Sequence, residues 1–207
     1  MKNLRAIILA GGSGERFWPL STPERPKQFL KIFGGKSLIR QSVERLAGFA
    51  GSNDIFVVTS GALVAATRKE LPEIPSANIV GEPMRRDTGA AVALGVAKAA
   101  AGAADDPVLA FFPADQLITR PAAFRAALRK AVARAKSVSA IVTLGIRPDR
   151  PATGYGYVDP KSGSFFEKPS VARARSYLKR WMPSARHPSI STLTGRSLPG
   201  CCSSTET

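Results

Sequence analysis

The sequence predicts an α/β protein in which helices flank a mostly parallel sheet. Two observations support this class: short apolar runs bounded by polar residues, Gly or Pro recur along the chain, and segments with helical period lie between them. Such runs are typical of strands buried on both faces of a sheet. Because parallel neighbours need a crossover connection, the alternation indicates right-handed βαβ units.

The predicted elements follow in chain order. Four strands are expected, at residues 5–10, 55–58, 108–112 and 140–144. Three helices are expected between them, at 37–47, at 88–101 with Asp87 or Thr88 as N-cap, and at 121–136. Shorter elements are expected later, as strands at 154–158 and 165–166 and a helix at 170–181.

Composition favours one globular domain. The chain has 207 residues, of which 44% are hydrophobic and 22% charged, so it can bury a core without disulfides or structural metals. We expect this domain to cover residues 1–181. Residues 182–207 are rich in Ser, Pro and Arg without sustained period, which predicts a foreign tail that does not pack. The adjacent Cys201 and Cys202 indicate neither a disulfide framework nor a zinc site.

Charge and hydropathy exclude several classes of protein. No apolar run approaches the roughly 20 residues of a membrane span, and the first run stops at Gly11 and Gly12 with no cleavage site after it. We therefore expect a cytoplasmic protein with no membrane partner. The net charge of +15 raises the question of nucleic acid, but 7 basic residues and 1 acidic residue lie in 168–207, and no recognised module or aromatic-basic interleaving appears. We expect no nucleic-acid partner.

The strongest local signal follows the first predicted strand. After Leu9 and Ala10 come Gly11, Gly12, Ser13 and Gly14, and then Arg16. Backbone N–H groups without Cβ obstruction form an anion-binding concavity, which suits phosphates. The pattern is neither a Walker nor a Rossmann glycine motif, so a plain glycine turn stays open on this segment alone. Lys27 lies in the segment 26–30, which begins ten residues after Arg16, and is a candidate second cation for a triphosphate.

The run LAGGSGERFWPLS at 9–21, followed by PKQFL at 26–30, resembles sugar-nucleotide pyrophosphorylases, specifically mannose-1-phosphate guanylyltransferases. Further segments resemble that family in the same order. They are EPMRRDTGAA at 82–91, FPAD at 112–115, TGYGY at 153–157 and FEKP at 166–169.

The resemblance implies a Rossmann-like sheet of the nucleotide-diphospho-sugar transferase type and an identified chemistry. The mannose 1-phosphate oxygen would attack the α-phosphorus of GTP in line, releasing pyrophosphate and forming GDP-mannose. Such chemistry asks the protein mainly for positioning and charge neutralisation, with Mg²⁺ as cofactor. The partners implied are GTP and mannose 1-phosphate.

The resemblance also assigns candidate site residues. Those for the nucleotide and its phosphates are Leu9, Ala10, Gly11, Gly12, Ser13 and Gly14, with Glu82 and Pro83 at the base. Arg16 and Lys27 would be the catalytic residues, stabilising the leaving pyrophosphate. Asp115 would hold Mg²⁺. Gly154, Glu167 and Lys168 would face the sugar phosphate.

The chain departs from the family after FEKP. It lacks the family's Trp-Asn-Ser-Gly-like segment and a further metal-binding aspartate, which predicts a catalytic domain incomplete at its C-terminal end. Two alternatives stay open: a nucleotide-binding but inactive fragment, and the same reaction with another base or sugar. A missing strand would expose a sheet edge, which favours association, including into a homo-oligomer.

Overall fold

A computed structural model of the chain describes residues 3–12, 17–22, 25–84, 86–103, 106–138, 141–146, 148–159, 164–181 and 189–193. The chain divides into two compact units, residues 1–121 and 122–207. This division falls inside the region 1–181 that the sequence predicts as one domain. The domain boundaries given above stay a prediction.

The first unit contains a four-stranded parallel sheet. Its strands are β1 (Leu4–Leu9), β2 (Ile55–Ser60), β3 (Ile79–Glu82) and β4 (Val108–Pro113). The spatial order is β3-β2-β1-β4, and every neighbouring pair is parallel. The predicted α/β class with a parallel sheet is therefore confirmed.

The centre of the sheet is apolar because both faces of β1 and β2 are covered. Ala6, Ile7 and Ile8 are fully buried in β1, and Val57 and Val58 are almost fully buried in β2. This burial explains why these strands read as continuous apolar runs in the sequence rather than as alternating ones. Since β1 lies between β2 and β4, the loop that follows it begins at the middle of the sheet edge.

Three helices belong to the first unit. They are α1 (Leu38–Glu44), α2 (Val64–Glu70) and α3 (Asp87–Ala100). The Ser37 hydroxyl accepts a hydrogen bond from the backbone N–H of Arg40 and so caps α1. The predicted cap of α3 is wrong, because Arg86 occupies the N-cap position without a side-chain hydrogen bond and Asp87 is already helical.

One face of the sheet is packed by α3. Ala91 and Ala99 of this helix are buried against Ile7, Phe56 and Val58. Small helical side chains let the helix axis approach the sheet closely, which explains why this Ala-rich segment folds here. The element α2 and strand β3 are not among the sequence predictions, because each offers too short a pattern, with only two apolar residues opening β3.

The second unit contains α4 (Pro121–Ser137), α5 (Val171–Trp181) and four strands in two small antiparallel sheets. The strands are β5 (Ile141–Gly145), β6 (Tyr157–Val158), β7 (Phe165–Phe166) and β8 (Ser189–Leu193). Strand β5 pairs with β8, and β6 pairs with β7. Strand β6 is shorter than the predicted 154–158.

Strand β8 lies inside the tail that the sequence predicts not to pack. Its sequence, Ser-Ile-Ser-Thr-Leu, has no regular two-residue period, and the strand forms by antiparallel pairing with β5. The rest of the tail, residues 182–188 and 194–207, lies outside the described residues. Within the described part of the chain, no helix is long and apolar enough to cross a membrane.

Candidate active site

Several predicted site residues meet at the carboxyl edge of the parallel sheet. Gly11 and Gly12 follow β1, Glu82 ends β3, and Asp115 follows β4. In parallel sheets all strands end at the same edge, which is where open α/β folds bind ligands. The order of the strands therefore brings together residues that lie about a hundred positions apart in the sequence.

Lys27 and Asp115 form an ion pair at this edge. The Lys27 ammonium lies 2.5 Å from Asp115 Oδ2, and the two side chains are 22% and 31% exposed. Lys27 opens a single 3₁₀ turn, Lys27–Phe29, which begins after Pro26. The pair therefore places a cation and a carboxylate, the two groups that a metal–phosphate complex requires, within contact of each other.

The glycines of the loop lie against two of these charged side chains. A Cβ on Gly12 would lie 3.1 Å from Lys27 Nζ, and a Cβ on Gly11 would collide with the Glu82 carboxylate. A side chain at residue 11 would therefore displace the Glu82 carboxylate, so it is close approach rather than backbone conformation that favours glycine here. Gly11, Gly12, Lys27, Glu82 and Asp115 form one cluster, which we call the edge cluster.

The start of the loop is held by Gln28, which the sequence analysis missed. Ala10 donates its N–H to Val58 O at 2.7 Å, and its carbonyl oxygen accepts from Gln28 Nε2 at 2.9 Å. Thr59 Oγ1 lies 3.3 Å from the same oxygen. Gln28 is 1% exposed, and its Oε1 has no hydrogen-bond partner within the described part of the chain. A glutamine directly before the apolar pair Phe29 and Leu30 is the only local signal that could have indicated this role.

The turn that carries Asp115 is held from β1 and from α1. Ala114 donates its N–H to Leu9 O at 3.0 Å. Arg45, which ends α1, donates from Nη1 to Gln116 O at 2.8 Å. Burial lowers the pKa of Arg45 from its usual value. The sequence analysis did not identify Arg45, because nothing in its local pattern distinguishes it from a surface arginine.

The other nucleotide residues stand as follows. Leu9 is the last residue of β1, and Pro83 follows β3 as an exposed residue. Ser13, Gly14 and Arg16 lie outside the described residues. Their roles stay predictions.

The sugar-phosphate candidates belong to the second unit. Glu167 and Lys168 directly follow β7, and their charged groups are 3.8 Å apart. A Cβ on Gly156 would lie 3.1 Å from Glu167 Oε2, which places that carboxylate beside the segment containing Gly154. The β6–β7 ribbon is anchored by Tyr177 of α5, whose ring stacks on Tyr157 at 5.4 Å between centroids.

The edge cluster offers the carboxylate of Asp115 as a ligand for a magnesium ion. Mg²⁺ usually binds through one or two carboxylates and completes its shell with waters and substrate phosphates. Asp115 is a partly exposed carboxylate beside a loop suited to phosphates, so it matches that pattern. Among the described residues no group of three or more His, Cys, Asp or Glu side chains could hold a metal without such help.

Comparisons with known proteins identify the family of the chain. Residues 5–182 match the family model described as nucleotidyl transferase. The xanthan biosynthesis protein XanB of Xanthomonas campestris is 38% identical over 187 residues, covering 86% of this chain and 39% of that protein. A mannose-1-phosphate guanylyltransferase of Escherichia coli is 35% identical over 189 residues, covering 84% and 40%.

A solved structure from Thermus thermophilus, described as a mannose-1-phosphate geranyltransferase, superposes with a TM-score of 0.75 at 36% identity. It covers 86% of this chain, which covers 54% of that one. The chain spans about two fifths of the length of the curated relatives it matches. The parallel sheet, the edge cluster and the match across residues 5–182 lead to one conclusion: the chain belongs to the nucleotidyl transferase family.

Proposed function

We propose that the chain transfers GMP from GTP to mannose 1-phosphate, giving GDP-mannose and pyrophosphate. The observation that carries this proposal is the contact of Lys27 with Asp115 beside Gly12, at the carboxyl edge of a parallel sheet. The substrates are suggested by relatives named mannose-1-phosphate guanylyltransferase at about 35% identity.

The chemistry asks for charge and position rather than for a nucleophilic side chain. The phosphate oxygen of mannose 1-phosphate forms a bond to the α-phosphorus, and the bond from that phosphorus to the bridging oxygen of pyrophosphate breaks. Negative charge grows on the departing pyrophosphate. The Lys27 ammonium lies 3.1 Å from a Cβ position on Gly12, and there it would neutralise charge along the loop.

Asp115 would hold Mg²⁺. The ion, when bound, supplies charge neutralisation on the phosphate oxygens. The chain's part is to keep the carboxylate at the sheet edge and to provide Lys27 as a cation that can move from the carboxylate to a phosphate. In the second unit, Lys168 would take the sugar phosphate, and Glu167 would accept hydrogen bonds from mannose hydroxyls.

The position of Glu82 supports a role for this residue in base recognition. Its carboxylate lies against Gly11 at the start of the loop, and a carboxylate can accept two hydrogen bonds from the guanine edge. Uracil and thymine offer one N–H on that edge, so a carboxylate at this position favours GTP. Arg16 would join Lys27 at the pyrophosphate.

The test is pyrophosphate release by the purified chain with GTP, Mg²⁺ and mannose 1-phosphate. We expect turnover with these substrates to exceed turnover with UTP or dTTP and with glucose 1-phosphate. Asp115→Asn should lower kcat/KM about a hundredfold, because a loss of about 3 kcal/mol of metal-dependent stabilisation has that effect.

The matched control is Asp106→Asn. Asp106 is an exposed aspartate shortly before β4, whereas Asp115 follows the same strand, so only Asp115 lies at the edge cluster. Equal rates in the two variants would contradict the role of Asp115. GTP binding without pyrophosphate release in the unsubstituted chain would identify a binding protein rather than an enzyme.

A further inference from the structure

Two side chains from the end of α1 lie within hydrogen-bond distance of the backbone carbonyl oxygens on either side of Asp115. The carbonyl oxygen of Gln116 accepts a hydrogen bond from Arg45 Nη1 at 2.8 Å. The carbonyl oxygen of Ala114 lies 3.2 Å from Ser42 Oγ. Asp115 itself contacts neither side chain through these bonds. The backbone on each side of the carboxylate is therefore fixed by a helix that follows the Lys27 segment in the chain.

Arg45 is the stronger of the two restraints. The Ser42 hydroxyl lies 3.0 Å from Leu38 O as well as 3.2 Å from Ala114 O, and its single proton serves one acceptor at a time. Arg45 donates to Gln116 O, to Ser42 Oγ and, from Nε at 3.1 Å, to Gln41 O. The guanidinium thus joins α1, the serine and the turn into one network.

The positive charge of Arg45 is half-buried without an opposing carboxylate among the described residues. Within the described ranges its guanidinium pairs with no carboxylate, and its acceptors are carbonyl and hydroxyl oxygens. Burying a cation costs free energy unless strong hydrogen bonds compensate for the lost water. A charged donor binds a carbonyl oxygen more strongly than a neutral one does. The outcome is a stiff turn next to a charged site.

We propose that Arg45 is a positioning residue for Asp115. Its hydrogen bond to Gln116 O keeps the Asp115 carboxylate at the sheet edge when the Lys27 ammonium moves from that carboxylate to a phosphate. Without the Arg45 hydrogen bond, departure of Lys27 would leave the Asp115 carboxylate with neither its ion-pair partner nor the stronger of the two side chains that hold its turn. The inference rests on the proposed function, in which Asp115 holds the metal.

Arg40 provides a matched control on the same helix. Its guanidinium donates to the Glu73 carboxylate and to Glu70 O at the end of α2. Like Arg45, it is half-buried and joins α1 to another segment. It makes no contact with the turn that carries Asp115. Removing it should disturb stability without disturbing the metal site.

The experiment compares Arg45→Met, Arg45→Lys and Arg40→Met in the full chain. The dissociation constant of Mn²⁺ from the complex of the chain with GTP is measured from the EPR signal of the free ion, against a protein-free sample that accounts for Mn²⁺ bound to GTP itself. Tm and pyrophosphate release are measured alongside. We expect Arg45→Met to raise the Mn²⁺ dissociation constant about tenfold, as loss of a supporting partner of a metal ligand does. Arg45→Lys should recover part of this loss. Arg40→Met should lower Tm and leave Mn²⁺ binding unchanged.

The kinetic readout separates positioning from general damage. Arg45→Met should lower kcat and leave the KM for mannose 1-phosphate unchanged. If Arg45→Met does not fold, Arg45→Lys and Ser42→Ala replace it in the test. Each keeps the helix and weakens the hydrogen bonds from α1 to the turn that carries Asp115. Unchanged Mn²⁺ binding in these variants, or absent Mn²⁺ binding in the unsubstituted chain, overturns the inference. Absent pyrophosphate release with Mn²⁺ still bound overturns the proposed function alone.

Discussion

The two compact units hold their candidate site residues by different means. In the first unit, Lys27 and Asp115 lie 88 residues apart in sequence and contact each other directly. Buried or half-buried residues such as Gln28 and Arg45 hold the backbone near them. In the second unit, Glu167 and Lys168 are sequence neighbours whose side chains are 60% and 66% exposed. Their separation of 3.8 Å follows from chain connectivity as much as from folding.

For the proposed reaction, this difference predicts a preorganised nucleotide and metal site and a sugar-phosphate site that its ligand must order. A cluster fixed by long-range contacts loses little entropy when a ligand arrives, whereas exposed side chains must be ordered by the ligand. We therefore expect substitutions at the edge cluster to change the handling of nucleotide and metal strongly. Substitutions at Glu167 and Lys168 should change the KM of the sugar phosphate mildly. The following variants test this contrast.

Lys27→Met should have the largest effect. Losing a charged donor to phosphate is worth about 1.5–3 kcal/mol, so kcat/KM for GTP should fall about 10- to 150-fold. Mn²⁺ binding without nucleotide should tighten, because Asp115 loses its competing cation. Steady-state pyrophosphate release and Mn²⁺ EPR measure the two effects.

The control for Lys27→Met is Lys36→Met. Lys36 pairs with Glu44 at 2.8 Å, but both side chains are largely exposed, so this substitution removes an ion pair away from the edge cluster. It should leave both readouts unchanged. Equal behaviour of the two variants would remove Lys27 from the nucleotide site.

Gly11→Ala should have an intermediate effect. The new methyl group would collide with the Glu82 carboxylate, which can swing away because it is the end of a flexible side chain. We expect an increase of about fivefold in the KM for GTP, which corresponds to about 1 kcal/mol, and reduced preference for GTP over UTP. In Gly51→Ala the nearest contact would be a relaxed 3.8 Å to Asp54 Oδ2, which makes it the matched control. An unaltered preference for GTP in Gly11→Ala would argue against Glu82 as the base contact.

Lys168→Met should have the smallest effect. We expect the KM for mannose 1-phosphate to rise about threefold, with Tm and the KM for GTP unchanged, since exposed ion pairs contribute little to stability. Lys179→Met, an exposed lysine on α5, is the control. A collapse of Tm in Lys168→Met would show that the contrast between the units is wrong.

Local motifs predicted the chemistry-bearing residues better than their supports. The glycine run predicts Gly11 and Gly12 as phosphate-binding residues, whereas Lys27 and Asp115 are identified mainly because PKQFL and FPAD resemble family motifs. Gln28 and Arg45 are not identified, because their roles exist only once Ala10 and Gln116 are brought to them by the fold. A hydrogen bond across 71 residues leaves no trace in a local pattern.

The secondary structure follows the same rule. Long periodic segments such as α3 and α4 were predicted to within a residue or two. Strand β3 was not, since Ile79–Glu82 is stabilised by pairing with β2 rather than by its own sequence. The strand at 189–193 lies in a segment whose composition predicted no packing.

The position of β1 between β2 and β4 has a consequence for the chain during its synthesis. Strand β1 leaves the ribosome before its partner β4 and Asp115, which emerge about a hundred residues later, so closing this pairing has the entropic cost of a long loop. Lys27 has no carboxylate at residue 115 to meet until then. At the edge cluster, binding of the proposed metal and nucleotide would therefore require that β4 has already paired with β1.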